Sequence, residues 1–419
     1  MASVDKFLVF CILFIIKGSS TTEIFMGDEN QMTVPVMISR DQIKKLQNQM
    51  LDAFRIRRPS KNAHVPDEFV SRYMTSLYKF IGSKESVIPT MNPAFSYLDK
   101  STHDNDFDFN KILSDSNEFD SIVGFVPKKV STETEITKIF GNDLAEVDFG
   151  GSEDSIIDDS MRLIHAELYF AVENDSVPLD SIQAYSTKGE DLVPIAEGQV
   201  TRMNDTKLLA FNVTRIVQQW ILWPNVERRI FVKLVNSDGE SMPLEPLLNK
   251  IHTFGVGFLV ESEEDEDEDG DSFGRQKRET SSDNEIEEEA NLEEPPTVVN
   301  SFNQRPIDIL TRPRMGRCRL RTLYINFNDI GWSDFILAPL GFPANYCDGV
   351  CSFPLDVSFN PSNHATVQTL VHLIDKNKTS EALCAPISMD TPLSFLLLAD
   401  NRVIIKKFSE MTVTKCGCQ

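Results

Sequence analysis

Six cysteines, Cys318, Cys347, Cys351, Cys384, Cys416 and Cys418, crowd into the last quarter of the 419-residue chain. The seventh, Cys11, stands alone in an apolar run near the start. An even set confined to one small region reads as a framework of three disulfides, provided the compartment is oxidising. The terminal TKCGCQ sharpens the constraint, because Cys416 and Cys418 point to one face of an extended strand and sit too close to bridge each other. Each therefore needs a partner elsewhere, and fifteen pairings are open. If CDGVC (Cys347, Cys351) pairs in parallel with CGC, two bridges and their short backbones close a ring that a third disulfide can fill. Gly349 and Gly417 would then keep Cβ atoms out of the ring wall, where they would crowd the threaded sulfurs. A zinc shell completed by His364 or His372 fits less well, since zinc sites favour CxxC spacing and these are CxxxC and CxC. Neither a metal nor another cofactor is expected.

The N-terminus settles the compartment. MASVDKFLVFCILFIIKGSSTTE has a short head bearing Lys6, an apolar run from Phe7 to Ile16, and small polar residues at Gly18–Ser20. That order is a secretory signal peptide, expected to span residues 1–20 and to carry Cys11 away on cleavage. The apolar run is too short for a lasting membrane helix, which needs roughly 20 residues. The chain is therefore expected to be secreted.

Two amphipathic helices follow, in a helical segment over about residues 39–82. In SRDQIKKLQNQMLDAFRI, Ser39 and Gln42 form a capping-box pattern, and Ile43, Leu46, Met50 and Phe54 share a face. PDEFVSRYMTSLYKF places Phe69, Tyr73, Leu77 and Phe80 at helical spacing. From about 120 to 260 the period changes to two. IHAELYFAVE alternates Ile164, Ala166, Leu168, Phe170 and Val172 with more polar neighbours, and RRIFVKLV and HTFGVGFLV behave similarly, which predicts an antiparallel β domain. Asn174, Asn204, Asn212 and Asn377 each open an N-glycosylation sequon and are expected at the surface.

The formal charge of -23 describes one linker rather than the whole protein. ESEEDEDEDGD and the Glu-rich stretch after it hold much of the acid, so nucleic acid is not an expected partner. At this composition break stands RQKR, in which Arg275, Lys277 and Arg278 fit the basic pattern cut by subtilisin-like proprotein convertases. Acidic, core-poor flanks keep such a site extended and accessible. Cleavage after Arg278 divides the chain into a prosegment (21–278, with an acidic linker at 261–278) and a mature fragment. Residues 279–317 form a flexible tail of that fragment, and 318–419 the disulfide framework. Arg55-Ile56-Arg57-Arg58 matches the same pattern, but Pro59 follows and hinders cutting.

The C-terminal stretches LYINFNDIGWSDFILAPLGFPANYCDGVCSFPL, NHATVQTLVHL and MTVTKCGCQ resemble the mature domain of the transforming growth factor β superfamily, nearest its bone morphogenetic protein branch. The resemblance covers Cys318 to Gln419, and the prosegment resembles that family's prodomain more loosely. It implies a small all-β cystine-knot growth factor with one long helix, preceded by an α+β prodomain. It further implies the bridges Cys318–Cys384, Cys347–Cys416 and Cys351–Cys418. Most members carry two adjacent cysteines at LCAP, the first of which links two subunits, and here Leu383 stands in its place. A covalent dimer at that position is excluded, leaving a non-covalent homodimer, a heterodimer with a related ligand, or an antagonist-like monomer.

A dimer also has a physical reason. NHATVQTLVHLI puts Val367, Leu370, Val371 and Ile374 on one helical face, which either a partner subunit covers, since so small a domain has little second layer, or the chain's own strands do.

By resemblance, Trp332, Phe335, Phe353, Pro354 and Leu355 would contact a type I serine/threonine kinase receptor, and Ala338, Pro339, Ser394 and Leu396 a type II receptor. Such apolar anchors dominate many interfaces. The family's second tryptophan would be expected at Phe335, which points to an altered type I contact. The acidic tail weakens heparan sulfate attraction, although RPRMGRCRLR keeps a positive cluster. A family sequon before the helix is spoiled in Asn360-Pro361-Ser362. An enzyme zymogen is disfavoured, because the mature fragment contains neither HExxH nor GxSxG. The expected partners are the two receptor types, the chain's own prodomain, a proprotein convertase and, weakly, heparan sulfate.

Overall fold

A computed structural model describes residues 21–27, 33–56, 67–84, 90–98, 109–115, 119–141, 143–150, 161–173, 181–188, 191–195, 198–203, 206–223, 226–235, 240–243, 250–261, 317–355, 357–390, 392–399 and 402–419. The signal segment, the acidic linker, Arg275, Lys277 and Arg278, the tail through residue 316, Asn174 and Asn204 lie outside the described residues. The chain forms two compact units. One joins the described residues up to Glu261 with those of Tyr324–Pro343 and Thr391–Met411, and the other holds the remaining described residues of the C-terminal region with all six framework cysteines.

The first unit is built on two antiparallel sheets. The larger runs, in spatial order, through strands Ile336–Ala338, Leu393–Ala399, Arg402–Phe408, Ser121–Phe125, His252–Glu261, Met161–Glu173, Thr206–Asn212 and Gln199–Met203. Strands from beyond the convertase motif thus continue a sheet begun before it. At the seam Ile404 pairs with Val123 and Ile405 with Ile122. The smaller sheet follows the order Lys129–Ser131, Leu144–Asp148, Arg229–Val235, Ser181–Lys188 and Asp191–Pro194.

Alternate residues of both sheets meet in one core. Ala145, Val147, Ile230, Val232 and Leu234 come from the smaller, and Val123, Leu163, Ala166, Leu168, Phe170 and Val172 from the larger. This is the period-two pattern read from the sequence, with one difference. The pairing of His252–Glu261 with Met161–Glu173 shifts register between Phe258 and Leu259, whose partners are His165 and Leu163. Ile164 is the residue passed over, so Leu163 enters the core in its stead.

The opposite face of the larger sheet is covered by the helix Glu68–Lys84. Asp67 opens this helix by accepting a hydrogen bond from the Phe69 amide at 2.8 Å. Phe69, Tyr73 and Leu77 are buried as the helical spacing predicts, and Val70, Met74 and Ile81 are buried with them. The helix touches protein on more than one side. Gly124 allows its close approach, since a Cβ there would lie 2.7 Å from the Val70 side chain and 3.4 Å from the Val403 carbonyl.

Tyr73 and Tyr169 share a buried hydroxyl contact of 2.7 Å, and the Tyr169 hydroxyl donates onward to Glu167. Burial, reinforced by the Glu167 carboxylate, pushes both phenols well above the ordinary tyrosine value. The linked stability is therefore full below about pH 10 and is lost as pH rises beyond it. The thermal midpoint of the secreted precursor should fall steeply above pH 10, and Tyr73→Phe should flatten that fall.

The earlier helix, Arg40–Ala53, follows directly on the strand Thr33–Ser39. The side chains of Ser39, Gln42, Ile43 and Leu46 lie outside the described residues. Met50, expected on the buried stripe, is 53% exposed, whereas Leu51 is buried. The helix end accompanies this. Arg55 adopts a left-handed φ of 51°, the Ile56 amide returns to the Leu51 carbonyl at 2.9 Å, and Leu51 and Ile56 turn inward together.

In the second unit, Arg319–Arg321 pairs with Tyr346–Asp348 and Cys384–Met389 with Val413–Cys418. The helix Asn363–Ile374 starts at Ser362, whose hydroxyl accepts the Ala365 amide at 3.0 Å. The serine of the spoiled sequon is thus a helix cap.

Candidate functional site

The disulfides organise the second unit. Cys318 is bonded to Cys384, Cys347 to Cys416 and Cys351 to Cys418, with Cα atoms 5.3, 5.7 and 5.8 Å apart. The sulfurs of Cys318, Cys351 and Cys418 lie within 4.8 Å of one another, and all three are engaged in these bridges. His372 Nδ1 contacts the Thr379 carbonyl at 2.7 Å, and His364 is exposed.

Gly349 and Gly417 are needed, but for a different reason from sulfur crowding. Gly349 has φ +119°, and a Cβ there would run into the Arg317 carbonyl and reach 2.8 Å from the Cys318 nitrogen. The constraint is the backbone of the segment carrying Cys318. A Cβ at Gly417 would come within 2.8 Å of the Asn360 carbonyl and 3.0 Å of the Ile387 side chain.

The residues expected to touch receptors divide between the units. In the first unit Trp332 and Phe335 are buried, as are Ala338, Pro339, Ser394 and Leu396. Ala338 pairs with Leu396 in the sheet, and the Trp332 and Phe335 rings lie 6.2 Å apart. In the second unit Phe353 and Pro354 are exposed and Leu355 is half-buried.

Residues N-terminal to the convertase motif cover the buried group. Phe54 packs edge-on against Trp332 and Phe408, and Gln47 donates to the Ile330 carbonyl at 3.0 Å. Lys406 returns a hydrogen bond of 3.1 Å to the Phe54 carbonyl, where the end of the Arg40–Ala53 helix favours a cation. Asn92 is the most engaged of these residues. Its backbone amide donates to Leu337 at 2.8 Å, its side-chain amide to Ser333 at 2.9 Å and Ile336 at 3.4 Å, and its oxygen accepts from Ala94. The helix Glu68–Lys84 lies on Leu393–Ala399 and Arg402–Phe408. Sequence reasoning missed Asn92 and Gln47. The Asn92-Pro93 dipeptide, a turn signal, was the one available clue.

Two apolar features of the second unit face outward. On the helix, Val367, Leu370 and Ile374 are 61%, 52% and 77% exposed, while Ala365 and Thr369 turn inward. Leu383 is 64% exposed on a fixed backbone, because its amide and carbonyl both pair with Gln419 at 2.9 Å. Asn377 and Asn212 are exposed. Of the basic cluster, Arg317 lies over the Phe359 ring and Arg321 pairs with Asp348 at 3.3 Å. Among the described residues no helix is long and apolar enough to cross a membrane.

Known proteins share both halves of this architecture. Residues 317–418 match the family model for the transforming growth factor beta like domain, and residues 28–302 that for the TGF-beta propeptide. The chain is 46% identical to the protein decapentaplegic of Drosophila melanogaster over 102 residues, which cover 24% of this chain and 17% of that protein. It is 47% identical to the protein DVR-1 of Danio rerio over 103 residues, covering 24% and 29%. With bone morphogenetic protein 8A of Mus musculus it shares 29% identity over 244 residues, covering 57% and 58%. Each alignment spans less than two thirds of the relative's length. The precursors of this family yield signalling ligands and not enzymes. The chain belongs to the transforming growth factor β superfamily, as a growth-factor precursor of its bone morphogenetic protein branch.

Proposed function

We propose that the chain is secreted, cut by a proprotein convertase after Arg278, and then acts as a ligand that brings type I and type II serine/threonine kinase receptors together to activate SMAD signalling. The observation that carries this reading is the burial of Trp332, Phe335, Ala338, Pro339, Ser394 and Leu396 beneath residues that precede the cut. A ligand surface hidden in its own precursor requires a release step, and RQKR supplies one. The seam between Arg402–Phe408 and Ser121–Phe125 is non-covalent, so the cut prosegment stays attached until receptors compete for the same strands. Glycans at Asn174, Asn204, Asn212 and Asn377 complete the secreted form.

The mature ligand is a dimer without a covalent link, either of two copies or with a related chain. The exposed Val367, Leu370 and Ile374 row is the face a second subunit covers, as loss of that much apolar surface to water disfavours an isolated domain. The mass of the secreted mature fragment, measured without reductant, tests this reading. A native dimer that becomes a monomer in non-reducing denaturant is the expected result. A native monomer overturns the homodimer and favours the second reading, an antagonist or an obligate partner subunit, for which the missing cysteine at Leu383 speaks. A receptor reporter given the fragment alone, and then a co-expressed relative, separates those two.

A further inference from the structure

On the prosegment's smaller sheet, Glu146 and Asp148 alternate with the core residues Ala145 and Val147 and so face away from the sandwich core. They form a row with their cross-strand neighbours. Asp148 stands opposite Lys129 on one side and Arg229 on the other, and Glu146 stands opposite Ser131. Together these side chains line a depression of about 470 Å³, which Glu227 borders.

The depression is unbalanced in charge and in hydrogen bonding. Three carboxylates, Glu146, Asp148 and Glu227, face two cations, Lys129 and Arg229. Arg229 is committed to bridging, with one nitrogen 3.2 Å from Glu146 Oε1 and another on Glu227. Asp148 accepts the Gly150 amide. The Glu146 side chain is only 8% exposed, yet its second oxygen, Oε2, has no hydrogen-bond partner among the described residues. A buried carboxylate oxygen without a donor is uncommon and calls for one. Among the described residues these carboxylates do not converge closely enough to chelate a metal ion.

Beside this oxygen the sheet ends. Lys129–Ser131 is its edge strand among the described residues, and an unpaired strand edge is a template for an extended chain. We propose that the depression is a docking site for a lysine or arginine side chain carried on an extended segment of a partner protein. The segment adds as a strand beside Lys129–Ser131, and its cationic head reaches over that strand into the depression, where it offsets the uncompensated charge of the Glu146 carboxylate in the floor and sits beside Asp148 and Glu227. Charge complementarity selects a basic guest, and the edge strand selects a peptide over a free amine.

The test uses the full secreted chain with Arg278→Ala, which keeps it in one piece, and a fluorescein-labelled Ser-Val-Arg-Val-Ser peptide read by anisotropy. The peptide should saturate the precursor, and its counterpart with citrulline for arginine should bind about tenfold more weakly. Glu146→Gln should weaken the arginine peptide by a similar factor with no change for the citrulline peptide. Lys129→Glu, which removes the competing cation at the rim, should tighten the arginine peptide severalfold, and it carries the test should Glu146→Gln reduce secretion. Equal binding of the two peptides overturns the proposal, as does indifference to both substitutions or absence of saturation at millimolar peptide.

Discussion

Leu383→Cys should convert the mature ligand into a dimer that survives non-reducing denaturant. The backbone at this position is fixed by its paired hydrogen bonds to Gln419, and the neighbouring Cys384 is tied to Cys318. The side chain is largely exposed, so a thiol there would meet solvent or a second subunit. In a two-fold dimer with the family's arrangement, residue 383 faces its own copy, and the two thiols oxidise in the secretory compartment. Denatured without reductant, the variant should run at twice the wild-type mass. Its dimer should also persist at dilutions where the wild type dissociates, because a covalent link removes the concentration dependence of assembly. If the variant remains a monomer in denaturant, residue 383 does not lie at a two-fold axis, and the homodimer gives way to a heterodimer or a monomer.

Asn92→Ala should loosen the cut prosegment. Asn92 is buried, and its side-chain amide donates to two carbonyls, Ser333 and Ile336, in the segment that also carries Phe335. Alanine leaves those carbonyls short of a donor at a site closed to water, which costs about 1–3 kcal/mol. Dissociation of cleaved prosegment from mature ligand should therefore become roughly 5- to 150-fold more favourable. Size-exclusion chromatography of the processed protein measures this directly, with Asn48→Ala as an exposed-helix control. Unchanged retention would mean that the sheet seam and the Glu68–Lys84 helix hold the prosegment without help from this loop.

Different parts of this arrangement were legible in the sequence to different degrees, for physical reasons. The disulfide framework announces itself because cysteine counting and compartment are local facts, and the β domain because alternation in IHAELYFAVE is a property of one strand. The helix Glu68–Lys84 is legible as a helix, but its burial on several sides is not visible in a single stripe. The seam between Arg402–Phe408 and Ser121–Phe125 was not legible at all. Pairing between strands so far apart in the chain leaves no periodic trace in either one. A hint stands in LSFLLLA, where apolar residues run continuously instead of alternating, as a strand covered on both faces requires. Met50 and Leu51 show the limit of face assignment near a helix end, where the returning chain places Ile56 beside Leu51 and not beside Met50. Gly349 was read correctly as a crowded position and wrongly as to what crowds it, since a sequence shows which residues bond but not which backbone passes between them.

The residues proposed to face receptors are buried in the uncut chain, and the signal from uncut precursor tests that proposal most directly. Wild-type and Arg278→Ala proteins, matched in molar amount and in secretion, are applied to cells carrying a SMAD-responsive reporter. A full response to the processed wild type is expected, and less than about a hundredth of it from the uncut variant, as a surface held mostly in its covered state would give. A response from the uncut precursor equal to that of the processed ligand would contradict it.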